Sequence, residues 1–99
     1  MAIPRFDHPN SGDAVITVAK DVNEIHVLRR IDYSYDLTPT TGKLTVSIGG
    51  TDLFELDVPA SGTKRADFPG GIYGKFNEAL VITLLGVSGK RGRLNALID

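Results

Sequence analysis

Apolar and polar residues alternate at a spacing of two through most of residues 24–58. In the first run Ile25, Val27, Ile31, Tyr33 and Tyr35 fall on odd positions, and His26, Arg30, Asp32, Ser34 and Asp36 on even ones. Successive side chains of a strand point to opposite faces, so this pattern predicts a long strand with one dry and one wet face. Leu28 and Arg29 break the alternation, which predicts a bulge, a bend or a partner contact at that point. Pro39 and Gly42 then mark a connection. Leu44, Val46 and Ile48 alternate with Lys43, Thr45 and Ser47, Gly49-Gly50 supplies a two-residue hairpin turn, and Phe54, Leu56 and Val58 alternate with Leu53, Glu55 and Asp57. Pro59 ends the run, because it has no N–H to give to a ladder. Three such strands in sequence order predict an antiparallel meander with one buried face.

Shorter runs of the same kind predict strands over residues 14–19, 80–85 and 93–98, and a short polar one over residues 63–68. In residues 80–85 both faces are largely apolar. Val81 and Leu85, with Val87 beyond them, therefore predict that a second face is covered by an arm, a loop or another subunit. Residues 69–77 are rich in glycine and read as irregular. Phe68, Ile72, Tyr73 and Phe76 are too apolar for a free linker, so they either plug the end of the fold or form a contact patch. Residues 86–92 read as a glycine-rich hairpin connection. Pro4 and Pro9 exclude a helix at the start, and residues 10–13 have turn chemistry. Residues 1–13 thus read as an extended arm, either frayed or docked on a neighbour through Ile3 and Phe6. The expected class is all-β: an antiparallel β-sandwich or small jelly roll of about seven strands over residues 14–99, preceded by that extended N-terminal arm.

Composition narrows the function classes. The chain has 99 residues, enough for one domain with its own core. It has no cysteine, which leaves no disulfide framework and no thiolate zinc site. A net charge of −1 gives no global drive toward nucleic acid or an anionic membrane, so neither is an expected partner. Apolar runs such as Ala79-Leu80-Val81-Ile82 are too short to span a bilayer. The opening residues lack the apolar stretch of a signal peptide, and Met1 favours a whole protein. Tryptophan, the commonest side chain for stacking on sugars, is absent, which weakens a lectin reading.

Few residues invite chemistry. His26 shares the wet face of its strand with Glu24, Arg30 and Asp32, at a repeat of about 6.6 Å, which reads as a solvated ladder of charges. The other histidine, His8, lies in the arm, so no metal site is expected. Glu55 and Asp57 share a face, as Asp32 and Asp36 do less closely, but nothing nearby would raise the pKa of either pair for acid–base work. The stretch GVSGKRGR fails as a phosphate loop. Leu84 stands where the first glycine is needed, Arg91 stands where the Ser or Thr is needed, and a strand follows instead of a helix. What remains is a basic tip of Lys90, Arg91 and Arg93, with smaller basic pairs at Lys64-Arg65 and Arg29-Arg30. These read as solvated turns or as a rim for an acidic partner. No catalytic residue and no cofactor is expected.

The order of motifs resembles a family. A strand ends in Tyr33-Ser34-Tyr35, and a Pro/Gly turn leads into Gly42-Lys43-Leu44-Thr45-Val46. A turn with Ser61-Gly62 follows, then Phe68-Pro69-Gly70-Gly71, with Asn77 just before Ala79-Leu80-Val81-Ile82-Thr83-Leu84, and the chain closes on Gly92-Arg93-Leu94-Asn95. From about residue 15 to residue 98 this resembles the small β-sandwich structural proteins of tailed bacteriophages. The resemblance implies a non-enzymatic virion protein, made in the bacterial host cytoplasm and placed on the capsid surface. Its role would be decoration (cement), binding and stabilising the major capsid protein shell, and it would form a homo-oligomer, a trimer among the options. The alternative is a tail- or fibre-associated module that binds a receptor or carbohydrate. The partner-binding residues expected are Ile3, Arg5 and Phe6 in the arm, Phe68, Ile72, Tyr73 and Phe76 in the glycine-rich stretch, and Lys90 and Arg91 in the basic tip; for the receptor- or carbohydrate-binding alternative only Phe68, Tyr73 and Phe76 are candidates.

Overall fold

The computed structural model describes residues 3–9, 12–20, 22–39, 42–87 and 90–99 and, for Ile3 and Pro4, the backbone alone. Met1, Ala2, Asn10 and Ser11 of the expected arm lie outside the described residues, as do Asp21, Thr40, Thr41, Ser88 and Gly89 of the expected turns. Among the described residues the strands are β1 (Ile3–Asp7), β2 (Ala14–Val18), β3 (Val27–Tyr35), β4 (Gly42–Ile48), β5 (Thr51–Val58), β6 (Lys64–Tyr73), β7 (Leu80–Leu84) and β8 (Gly92–Ile98). They form two antiparallel sheets in the orders β1-β8-β3-β6 and β2-β7-β4-β5. The all-β sandwich of jelly-roll type expected from the alternation is therefore present.

From Ile31 onward the alternating positions do what the pattern requires; upstream of it the faces swap, so Leu28 is buried, whereas Ile25 and Val27, expected on the dry face, are exposed and half-buried. Leu28, Ile31, Tyr33 and Tyr35 of β3, with Leu94, Ala96 and Ile98 of β8, face Ile16, Val18, Leu44, Val46, Ile48, Leu80, Ile82 and Leu84 of the other sheet, and all are buried. Among the described residues no polar or charged residue is buried. Truncating one of the larger aliphatics to alanine would cost about 2–5 kcal/mol in such a core. The Gly49-Gly50 turn is also as expected. Ile48 pairs with Thr51, and both glycines have positive φ (59° and 85°), the two-residue turn whose twist matches flanking strands. The broken alternation at Leu28-Arg29 is a bulge: the register of β3 shifts between Leu28 and Arg30 against both neighbours.

Strand partnership departs from expectation. The predicted meander does not form, because β3 pairs with β6 and β8 while β4 pairs with β5 and β7 in the opposite sheet. Residues 86–92 are not a hairpin connection either, since β7 and β8 belong to different sheets. The stretch read as an extended N-terminal arm is, over Ile3–Asp7, the edge strand β1, with Arg5 opposite Ala96 and Phe6 opposite Asn95. Proline is tolerated at a sheet edge, which is why Pro4 excludes a helix without excluding a strand. Residues 69–73, expected as irregular, continue β6. There residues 68–71 bulge opposite Arg29, and Gly71 takes a φ of 75°.

Candidate functional site

The topology gives the sandwich two different ends. One gathers the β2–β3 connection, the Gly49-Gly50 turn, the β6–β7 connection and the chain terminus after β8. Here the bulge in β6 sets the direction of the chain. Gly71 has no side chain and sits against Val27; a Cβ on it would lie 2.5 Å from Val27 Cγ1 and 3.3 Å from Arg29 Nη1, so only glycine fits beneath them. From that pivot Ile72 turns inward onto the core while Tyr73, opposite Val27, turns outward. The Gly74 N–H donates to the His26 carbonyl (2.8 Å), and the Glu78 N–H donates to the Lys75 carbonyl (3.3 Å), closing a tight turn around Phe76 and Asn77. Asn77 adopts the left-handed conformation (φ 58°), for which asparagine is among the favoured non-glycine residues. The Gly49 N–H donates to the Ala79 carbonyl (3.0 Å) and ties this turn to the β4–β5 hairpin.

The result is an apolar tip. Tyr73 is 59% exposed and Phe76 is 56% exposed, and Val22 and Ile25 of the neighbouring β2–β3 connection are also exposed. Beside Tyr73 lies a hydrogen-bonded ion pair: Arg29 Nε donates to Asp99 Oδ2 at 2.8 Å. That hydrogen bond holds the guanidinium more firmly protonated against the opposing effect of desolvation, and the charges of Asp99 and Tyr73 act in the same direction. Aromatic rings next to paired donors and acceptors make a surface that can pack a ligand's apolar face and hydrogen-bond its polar edge. Among the described residues no group of His, Cys, Asp or Glu is arranged to hold a metal ion.

The expected partner-binding residues divide. Tyr73 and Phe76 are both exposed at the same end of the sandwich. Phe68 and Ile72 belong to the core periphery instead; Phe68 meets Phe54 edge-to-face, 5.2 Å between ring centroids. The segment is therefore split: Phe68 and Ile72 pack on the core, and Tyr73 and Phe76 are exposed. Phe6, next to last in β1, points out of the sheet, 71% exposed, with its ring 5.2 Å from that of His8. Arg5 lies in the inward-facing row at the same edge, with Nε buried and unpartnered among the described residues. The Ile3 side chain lies outside what is described. Lys90 and Arg91 are at the opposite end of the sandwich, half-buried, so the basic tip does not join the aromatic one. Arg91 is also tied down: its N–H donates to Asp36 Oδ1 (2.7 Å), and its carbonyl accepts from the Asp36 N–H (3.0 Å). Sequence reasoning missed Val22, whose only signal is that it is an apolar residue within a turn, and it put Ile25 on the dry face of β3, whereas Ile25 is exposed in the β2–β3 connection. It also missed the Arg29–Asp99 pair, although Arg29 interrupting a dry face was a visible anomaly.

No family model matches the chain, and no curated protein matches it. Solved structures do. The CBM36-1 domain of a multidomain xylanase from the hindgut metagenome of Trinervitermes trinervoides aligns with a TM-score of 0.50 at 10% identity, over 94% of this chain and 73% of that one. A carbohydrate-binding module CBM36 in complex with calcium and xylotriose aligns with a TM-score of 0.49 at 14% identity, over 95% and 76%. The insecticidal delta-endotoxin Cry8Ea1 from Bacillus thuringiensis aligns with a TM-score of 0.50 at 19% identity, over 98% of this chain and 18% of the toxin. At such identities the likeness is one of fold: a two-sheet antiparallel sandwich.

Proposed function

We propose that this protein is a non-catalytic binding module that takes a carbohydrate at the end carrying Tyr73 and Phe76. The observation that carries the reading is the exposure of both rings, 59% and 56%, on a turn held by backbone hydrogen bonds. A sugar ring has an apolar C–H face and a polar rim. Tyr73 and Phe76 supply the stacking surface, and the Arg29–Asp99 pair supplies donors and acceptors beside it. Fold likeness to the xylanase-borne CBM36-1 domain supports the same reading. The role of stacking side chain, which tryptophan commonly fills, falls here to tyrosine and phenylalanine.

The test is affinity electrophoresis and calorimetry against a panel of soluble polysaccharides that includes xylan. Tyr73→Ala and Phe76→Ala are each expected to weaken binding tenfold or more, about 1.4 kcal/mol, with an unchanged melting temperature. A protein that binds nothing in the panel, or whose binding survives both substitutions, ends the proposal. A second reading, decoration of a phage capsid through the major capsid protein, is favoured by Phe6, which is 71% exposed on an edge strand. Co-sedimentation with empty capsid shells that is lost in Phe6→Ala and kept in Tyr73→Ala would decide for it.

A further inference from the structure

Each sheet ends in two strands with a free side, β1 and β6 in one and β2 and β5 in the other. Three of the four are poor templates for a further strand. β1 and β2 are short, five residues each, and β1 contains Pro4. β6 is interrupted by its Phe68-Pro69-Gly70-Gly71 bulge. β5 differs. It runs for eight residues, TDLFELDV, with no proline and no lysine, its register slips by one residue only, at Leu53 opposite Val46-Ser47, and among the described residues no strand lies on the side away from β4. Alternate N–H and C=O groups along that side lack a ladder partner.

The side chains of β5 specify what would pair there. On the inner face Phe54 and Leu56 are only half-buried, whereas Val46 and Leu44, their partners on β4, are fully buried. Beside Phe54 the rim of the core carries an aromatic contact with Phe68 of the other sheet. An added strand would bring apolar side chains over that seam. On the outer face Asp52, Glu55 and Asp57 are all exposed, and the one cation among them is Lys43, 2.6 Å from Glu55. Three carboxylates against one lysine leave an excess of two negative charges along the edge. A second copy of β5 in antiparallel pairing would set acid against acid, which disfavours self-association.

We propose that β5 is a strand-addition site for an extended partner segment whose apolar residues alternate with lysine or arginine. The apolar positions extend the core past Phe54 and Leu56, and the basic positions meet Asp52, Glu55 and Asp57. Backbone pairing supplies affinity and the alternation supplies specificity. This site is distinct from the aromatic tip, so the two bind independently.

The probe is a capped octapeptide of alternating valine and lysine, read by fluorescence anisotropy and by hydrogen exchange. Binding is expected to protect alternate amides of β5, and a peptide with the same residues arranged in two blocks is expected to bind at least tenfold more weakly. The double variant Glu55→Lys/Asp57→Lys is expected to lose the lysine peptide tenfold or more and to gain an alternating valine–glutamate peptide. N-methylation of alternate peptide bonds of the probe, which removes donors from one of its edges, is expected to abolish binding to the unaltered protein, so the test survives if the double variant does not fold. Tyr73→Ala is expected to leave peptide binding unchanged. Equal affinity for the block peptide, no protection within β5, tolerance of the N-methyl groups, or a β5-dependent dimer seen by light scattering without peptide would each overturn the proposal.

Discussion

The two ends of the sandwich solve the problem of joining strands in opposite ways. At the end bearing the β1–β2, β3–β4, β5–β6 and β7–β8 connections, side chains reach into the backbone of neighbouring loops. The Tyr35 hydroxyl donates to the Leu85 carbonyl (2.6 Å), Asp13 accepts from the Gly86 N–H (2.6 Å), Asp36 accepts from the Arg91 N–H (2.7 Å) and Asp7 accepts from the Val15 N–H (2.8 Å). Gly86 packs so closely on Gly12 that a side chain there would collide with backbone. At the other end the loops are joined mainly by their own backbone, and Tyr73, Phe76, Val22 and Ile25 are left pointing outward. Side chains spent on holding loops are unavailable to a ligand, whereas side chains left over are available. Leu37 and Leu85 are exposed at the first end too, but the second is the one that leaves aromatic rings outward, which is what the proposed carbohydrate site uses.

Three measurements test this contrast, beginning with the largest expected effect. Tyr35 is 2% exposed and bonded through its hydroxyl. Tyr35→Ala should lower stability by about 3–5 kcal/mol in urea unfolding, and Tyr35→Phe by about 1–2 kcal/mol through the orphaned Leu85 carbonyl. A loss below about 1 kcal/mol for the alanine variant would mean that this end is not held by Tyr35. Next is alkaline pH. Burial raises the pKa of both Tyr33 and Tyr35, because desolvation disfavours the phenolate. A folded-state pKa above the unfolded value contributes stability that is complete below the unfolded value, near pH 10, and is lost as pH rises through the folded one. Tyrosinate absorbance should therefore rise together with unfolding at the alkaline limit; ionisation of all three tyrosines with the fold intact would contradict it. The smallest effect belongs to the other end, where Tyr73→Ala and Phe76→Ala should each shift stability by no more than about 0.5 kcal/mol. A larger loss would turn the tip from a binding surface into a structural plug.

The sequence shows which face of each strand is buried far better than which strand it pairs with. Alternation placed Ile31, Tyr33 and Tyr35 correctly inward, and Gly49-Gly50 identified the one hairpin between consecutive strands. Alternation looks the same in either sheet, however, so the pattern alone sets β3 beside its sequence neighbour β4, whereas its partners are β6 and β8. Proline misled in β1 and glycine in β6, because both residues are allowed at edges and bulges as well as in loops. In the candidate site, Phe68, Ile72, Tyr73 and Phe76 look alike as letters. The turn at Gly71 decides which of them point outward, and a positive φ is a property of the folded backbone. The Arg29–Asp99 contact joins positions 70 residues apart, beyond any local pattern.

The order of sheets along the chain also bears on how the molecule is made. Apart from the β4–β5 hairpin, each connection carries the chain from one sheet to the other, and among the described residues β1 pairs with β8 alone. A topology dominated by distant pairings folds slowly, on a scale of about milliseconds to seconds for sandwiches of this size. During synthesis β1 must wait, extended and unpaired, until β8 has been made. The β4–β5 hairpin can form early, and the sheet containing β3 can close only at the end. Refolding in which hydrogen-exchange protection reaches β4 and β5 before β1 and β8 would be the kinetic signature of that order.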